Sequence, residues 1–114
     1  MTITITNDSA IISTTEYSLP ADTTTGVPTS QTDDAIIQIL IGFQNMVAGD
    51  QYEVKYYESD GTTQGLVATW ILAGAQALPK FLVPSVIFGV GWDITVKRLA
   101  GSDRTVSWSI RKVT

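Results

Sequence analysis

The stretch "GWDITVKRLAGSDRTVSWSIRKV", residues 91–113, decides the fold class. Every second residue from Trp92 to Val96 is apolar, and the same alternation returns around Trp108. A two-residue period indicates a β-strand with one buried face. The glycine-containing segment 100–104 between the two halves predicts a turn, so the whole stretch predicts a β-hairpin. Its apolar side is expected to bring two of the three tryptophans into a core.

Working outward from this stretch, the rest of the chain also predicts strands. Segments that alternate or form short apolar runs are 2–6, 35–43, 51–59, 66–72 and 80–89. Asp60-Gly61 predicts a tight hairpin turn, because both residues tolerate positive φ angles. Pro84 confines its segment to a sheet edge or a bulge. Seven or eight short strands with no amphipathic helix predict an all-β fold, an antiparallel β-sandwich of Ig-like or jelly-roll-like type.

The chain of 114 residues is long enough for one domain with one core. Residues 1–34 are rich in threonine, and the stretch 21–34 contains almost nothing to bury. We therefore expect residues 1–34 to form an N-terminal strand followed by an extended arm or loop. Residues 35–114 are expected to form the sandwich core.

The absence of histidine and cysteine limits the chemistry of the chain. It removes the histidine general base, the thiolate nucleophile and zinc sites of the His/Cys kind. Glu53 and Glu58 are placed on opposite faces of a strand by alternation, which separates them as a catalytic pair. The Asp33-Asp34 pair lacks the spacing of a calcium loop and is interpreted as loop acids. The sequence thus predicts no enzyme activity, no cofactor and no metal.

The net charge of −4 argues against nucleic acid and anionic membranes as partners, because both attract clustered Lys and Arg. The longest apolar runs are shorter than the ~20 residues that a membrane helix requires. The start "MTITIT" alternates and lacks the basic-then-apolar pattern of a secretory signal. We expect a soluble protein made in the cytoplasm.

Four runs of sequence carry a resemblance to a known group of proteins. They are "STTEYSLP" (13–20), "AGDQYEVKYYE" (48–58), "LAGAQ" (72–76) and "GWDITVKRLAGSDRTVSWSIRKV" (91–113). In this order they resemble small virion proteins of tailed bacteriophages, often carried close to the major capsid gene. The resemblance covers most of the chain, from about residue 11 onward.

The resemblance implies a head decoration or cement protein, an auxiliary capsid protein that sits on the assembled shell and stabilises it. It implies the major capsid protein as partner, a homo-oligomer with a trimer favoured, and a location on the capsid surface of the virion. It provides no catalytic residues. We expect the N-terminal region to make the capsid contact. The residues expected there are Ile3, Ile5, Ile11, Ile12 and Tyr17.

Two other functions remain open at this stage. One is a receptor- or carbohydrate-binding adhesion module, with Tyr57 and Gln64 as exposed contacts. Tyr57 is chosen because alternation places it opposite Tyr52 and Tyr56 on its strand. The other is a component of the tail or baseplate.

Overall fold

The computed structural model of the protein describes residues 2–25, 27–32 and 35–113, with the side chains of residues 84–87 not described. Nine β-strands and no helix are found in these residues. The strands are β1 (Ile3–Ile12), β2 (Tyr17–Ser18), β3 (Thr23–Thr24), β4 (Ala35–Gly42), β5 (Gln51–Ser59), β6 (Gln64–Ala73), β7 (Lys80–Phe88), β8 (Asp93–Ala100) and β9 (Arg104–Val113). This part of the chain therefore contains no helix long and apolar enough to span a lipid bilayer.

The strands form two antiparallel sheets. The first sheet has the order β1-β9-β4-β7, and the second has the order β3-β2-β8-β5-β6. The prediction of an all-β antiparallel sandwich is confirmed. The count is nine rather than seven or eight because β2 and β3 have two residues each, too few to show a period in the sequence.

The stretch that decided the fold class does not form the predicted hairpin. Its two strands lie in different sheets, since β8 pairs with β2 and β5 whereas β9 pairs with β1 and β4. Each strand has one apolar face, and a short connection can either turn within a sheet or cross to the facing sheet about 10 Å away. Both arrangements bury the same faces, so Trp92 and Trp108 are each 3% exposed, as predicted.

Two other local predictions are confirmed. β5 and β6 form the hairpin expected around Asp60, whose Oδ1 accepts the N–H groups of Thr62 and Thr63 at 2.9 Å. β7, which contains Pro84, is the outer strand of the first sheet, and its register with β4 shifts between Ile37 and Ile39.

The N-terminal third does not stand apart from the sandwich as an arm. β1 pairs with β9 over its whole length, and β2 and β3 extend the second sheet. Ile12 and Leu19 are buried in the same core as the later strands. Ala10 and Tyr17 pack against this core as well, whereas Ile3, Ile5, Ile11 and Val27 are exposed. The core contains Ile12, Leu19, Ile37, Ile39, Ile41, Phe43, Met46, Tyr52, Val54, Val83, Phe88, Trp92, Ile94, Val96, Val106 and Trp108.

Candidate docking face and inter-sheet cleft

β1 presents two chemically different faces. Ile12 is fully buried and Ala10 packs against the core, so the two-residue period turns the other even-numbered residues inward and the odd-numbered ones outward. The regular pairing of β1 with β9 carries this alternation through to the start of the strand. Ile3 and Ile5 are consequently 55% and 57% exposed on the outer side of the first sheet.

The outward isoleucines of β1 continue across the sheet. Ile3 is the register partner of Val113 on β9, and Val113 is also the partner of Ile36 on β4. Ile36 is 48% exposed, and Ile3, Ile36 and Val113 line a shallow depression of about 160 Å³. We call the surface formed by Ile3, Ile5, Ile36, Arg111 and Val113 the docking face.

Arg111 provides the cationic group of the docking face. Its Nε donates to Ser109 Oγ at 3.3 Å, and its NH1 donates to Gln38 Oε1 at 3.3 Å. Both bonds go to neutral oxygens, so the positive charge is held in position without a neutralising carboxylate in these contacts. A partner surface would therefore meet an apolar patch with a fixed donor for a carboxylate or a carbonyl.

The predicted contact residues separate into two groups. Ile3, Ile5 and Ile11 are exposed on the outer side of β1, whereas Ile12 is fully buried and cannot contact a partner. Tyr17 faces the core side, half-buried, with its ring centroid 5.6 Å from that of Trp108. Ile12 and Tyr17 were expected at a surface because residues 1–34 were interpreted as an arm. Their positions in paired strands account for the difference.

Tyr57 is not the exposed residue that the sequence predicted. It does lie on the outer face of β5, opposite Tyr52, as alternation requires, but its side chain is only 9% exposed. Its hydroxyl donates to both carboxylate oxygens of Glu16 at 3.2 Å, because the loop before β2 folds over this face of the second sheet. Burial, followed by the charge of Glu16, raises the pKa of Tyr57.

Glu16 belongs to a chain of ion pairs over β5. Lys55 Nζ lies 3.2 Å from Glu16 Oε1 and 3.3 Å from Glu53 Oε1, and Lys97 Nζ lies 3.9 Å from the same Glu53 oxygen. These side chains are 10–29% exposed, so the charges are mutually satisfied and partly withdrawn from solvent. The network fastens the loop before β2 to the second sheet and covers Tyr57, which was expected as an exposed contact.

Gln64, the other predicted adhesion contact, is bound to the protein itself. Its Nε2 donates to the carbonyl oxygen of Gly91 at 2.8 Å and to that of Thr29. Tyr57 and Gln64 therefore each serve internal contacts. The sequence did not reveal this, because their partners are 27 to 41 residues away along the chain.

A buried carboxylate holds the segment before β4 against the second sheet. Asp93 is fully buried and accepts from Ser18 Oγ at 2.7 Å, the Thr29 N–H at 2.7 Å and the Ile94 N–H at 2.9 Å. Burial raises the pKa of Asp93, although the hydrogen bonds oppose the rise. Alternation places Asp93 opposite Ile94 and Val96 and predicts at most a surface contact with Lys97, which is wrong because Asp93 is fully buried. Its partners Ser18 and Thr29 are 75 and 64 residues away along the chain, so neighbouring residues do not report them.

A second carboxylate, Asp50, joins the loops at one end of the sandwich. It is 2% exposed and accepts from Arg104 Nε at 2.8 Å, the Val47 N–H at 3.0 Å and the Ser102 N–H at 3.1 Å. Its own carbonyl accepts the N–H of Gly74 at 2.8 Å. The hydrogen bond from Arg104, followed by that from Val47, lowers the pKa of Asp50 to about 2.

A cleft of about 260 Å³ opens between the two sheets beneath β1. The inward residues Thr4, Thr6 and Asp8 form one wall, because β1 continues past the core residues Ala10 and Ile12. The facing wall is formed by residues outside the long strands, namely Leu19, Pro20, Asp22 and Gln31. The floor is formed by Ile37, Trp92, Trp108 and Ile110. The sandwich is thus incompletely filled at this end, and polar side chains border the gap.

Glu53 and Glu58, the carboxylates weighed as a catalytic pair, lie on different sides of β5. Glu53 pairs with Lys55 on the outer face of β5, whereas Glu58 accepts a 2.7 Å hydrogen bond from the hydroxyl of Tyr56, which packs inward on Phe88. Within residues 2–25, 27–32 and 35–113, no group of three carboxylates is placed to hold a metal ion. Asp33 and Asp34 lie outside the described residues.

Comparison with known proteins adds no family to this description. No protein-family model matches the chain, and no curated protein is significantly similar to it.

Proposed function

We propose that the protein is a structural component of a tailed-bacteriophage virion that binds the outer surface of the capsid and stabilises the shell, as decoration or cement proteins do. Two lines of support converge on this function. One is the resemblance of residues 13–20, 48–58, 72–76 and 91–113 to small virion proteins. The other is the docking face on the first sheet.

The docking face is the observation that carries the proposal. Contiguous exposed apolar side chains bordered by polar residues are typical of protein interaction sites, because such surface is otherwise left in contact with water. Ile3, Val113 and Ile36 form such a row across three adjacent strands. Exposed isoleucines at these positions are not required by the fold, since each lies on the side of its strand that faces away from the core.

The free edge of β1 offers a second means of contact. β6 and β7, at the other side of the sandwich, both have register shifts next to their partner strands, and such irregularities hinder pairing with another chain. β1 pairs with β9 over ten residues without a shift, so its other edge presents evenly spaced N–H and C=O groups. A strand of the capsid subunit could add to this edge while the docking face lies on the shell.

The proposal includes the major capsid protein as partner, a homo-oligomer with a trimer favoured, and a place on the virion surface. Many copies on one shell would add their contacts, so a modest affinity for each copy is sufficient for stable attachment. The acidic chain has a net charge of −4, which fits contact with protein better than contact with nucleic acid.

The test compares two isoleucines of equal exposure on opposite edges of the molecule. Ile5 on β1 and Ile71 on β6 are both 57% exposed, and both lie on outer faces. Full burial of an isoleucine side chain contributes about 1.5–3 kcal/mol. Slightly more than half of Ile5 is exposed in the free protein, so slightly more than half of this energy is available from burial against a partner. Ile5→Thr should therefore cost about 1–1.5 kcal/mol for each copy, or roughly tenfold in affinity.

The assay is co-sedimentation of the purified protein with empty capsids of the same phage. Both variants are first compared with wild type for mass in solution and for thermal unfolding. We expect Ile5→Thr to reduce capsid binding and Ile71→Thr to leave it unchanged. Failure of the wild-type protein to sediment with capsids would reject the function, and equal binding by both variants would reject the docking face as the contact.

A further inference from the structure

We propose that the inter-sheet cleft is a binding site for a single neutral sugar ring. The proposal concerns the inward side of β1 and is separate from the docking face on its outward side. It rests on the chemistry of the groups that border the cleft and on the composition of its floor.

The border of the cleft has an excess of free hydrogen-bond acceptors. Asp8 uses one carboxylate oxygen to accept the N–H of Ser9 at 2.8 Å, and Asp22 uses one to accept the hydroxyl of Tyr17 at 2.6 Å. Their second oxygens have no hydrogen-bond partner among the described residues. The same is true of the hydroxyls of Thr4 and Thr6, which can donate or accept. Such a border suits a ligand that carries several O–H donors.

Charge narrows the choice of ligand. Asp8 and Asp22 lie at the border with Lys112, so the cleft contains acids and a base together. The two carboxylates disfavour an anion such as a phosphate, and the ammonium of Lys112 offsets part of their attraction for a cation. A neutral polyhydroxylated molecule can donate hydrogen bonds from its hydroxyls to the carboxylate oxygens, and it brings no further charge into the cleft.

The floor requires the ligand to have an apolar side. Ile110 is partly exposed, and Trp92 and Trp108, each 3% exposed, also line the cleft. A pyranose ring matches both the apolar floor and the acceptor-rich border of the cleft. Its C–H groups form an apolar surface, and its hydroxyls project from the edge of the ring. The cleft volume of about 260 Å³ lies below the roughly 300–1,000 Å³ of sites for drug-sized ligands, which favours one ring over an oligosaccharide.

The test is an NMR titration of the full-length protein with the methyl glycosides of glucose, galactose, mannose and N-acetylglucosamine. The three tryptophans provide an internal comparison, since Trp92 and Trp108 line the cleft whereas Trp70 packs against Phe81 with ring centroids 5.4 Å apart. We expect at least one glycoside to shift the indole N–H signals of Trp92 and Trp108 saturably, with little change at Trp70. No saturable shift with any of the four, or a shift centred on Trp70, would overturn the proposal.

Matched variants on one strand separate the cleft from the docking face. The double variant Thr4→Val and Thr6→Val removes two inward hydroxyls, keeps the shape and retains β-branched side chains suited to a strand. It should weaken glycoside binding at least tenfold, while Ile5→Thr on the outward side leaves it unchanged. The single variant Asp8→Asn, at an exposed position, provides a second reading if the double variant does not fold. Wild-type affinity in both cleft variants would also overturn the proposal.

Discussion

Replacing Gly101 with alanine tests the packing of the loops around Asp50. Gly101 adopts φ +85°, a left-handed conformation that costs an L-residue about 1–2 kcal/mol. A Cβ there would lie 2.7 Å from the Asp50 Cα, well inside the 3.4 Å at which ordinary contact begins. Forcing a methyl group into packed surroundings typically costs about 1–3 kcal/mol more. We therefore expect Gly101→Ala to lower the free energy of unfolding by roughly 3 kcal/mol, or Tm by about 12 °C.

Gly49→Ala is the matched control, because Gly49 adopts φ +91° but has no heavy atom within 4 Å of the added Cβ. Gly49→Ala should lower the free energy of unfolding only by the cost of a left-handed backbone conformation, about 1–2 kcal/mol. Urea unfolding followed by tryptophan fluorescence gives both values, provided that the m-values agree with wild type. Equal losses in the two variants would refute the claim that the 101 turn is packed against the Asp50 backbone.

Three further predictions concern the core and the two buried carboxylates. Ile12→Ala should lower the free energy of unfolding by about 2–5 kcal/mol, because Ile12 is fully buried; a loss under about 1 kcal/mol in urea unfolding would show that β1 is not part of the core. The low pKa of Asp50 means that its contribution to stability is present above the ordinary value of 3.8 and is lost as pH falls through about 2, so Asp50→Asn should flatten the acid limb of a plot of urea midpoint against pH. The raised pKa of Asp93 gives the opposite pH dependence. Its contribution to stability is present below pH 3.8 and is lost as pH rises through the raised pKa, so Asp93→Asn should remove this fall of the urea midpoint with rising pH. At neutral pH the Asp93→Asn amide cannot accept from both Ser18 and Thr29, and we expect a net loss of about 1–3 kcal/mol, against which an unchanged urea midpoint would count.

The fold class was predictable because period-two burial is a local signal. Alternation around Trp92 and Trp108, the Asp60-Gly61 turn and the proline in β7 each indicated a strand, a turn or an edge from a few neighbouring residues. The assignment of β8 and β9 to different sheets was not predictable in this way. Two amphipathic strands bury the same faces whether they are neighbours in one sheet or face each other across the core.

The candidate site was predictable only in part, for a related reason. Alternation placed Ile3 and Ile5 on one side of a strand, but it could not say whether that side is the inner or the outer one. Which face of β1 is turned towards the core follows from Ile12, because its burial turns the even-numbered residues inward along the whole strand. The cover over Tyr57 comes from Glu16, 41 residues earlier in the chain. Nothing in the residues next to Tyr57 reports such a contact.

The loops tied to Asp50 and the tip of the β5–β6 hairpin differ in what they can accommodate. The first set is cross-linked by hydrogen bonds from three separate connections, so an inserted peptide there would disturb all of them at once. The tip at residues 60–63 is exposed, and its side-chain bonds are confined to neighbouring residues. An epitope or a gold-binding tag placed between Gly61 and Thr62 would leave both sheets undisturbed. The hairpin tip is therefore a natural position from which to display foreign sequence, or to locate the molecule on a particle by electron microscopy.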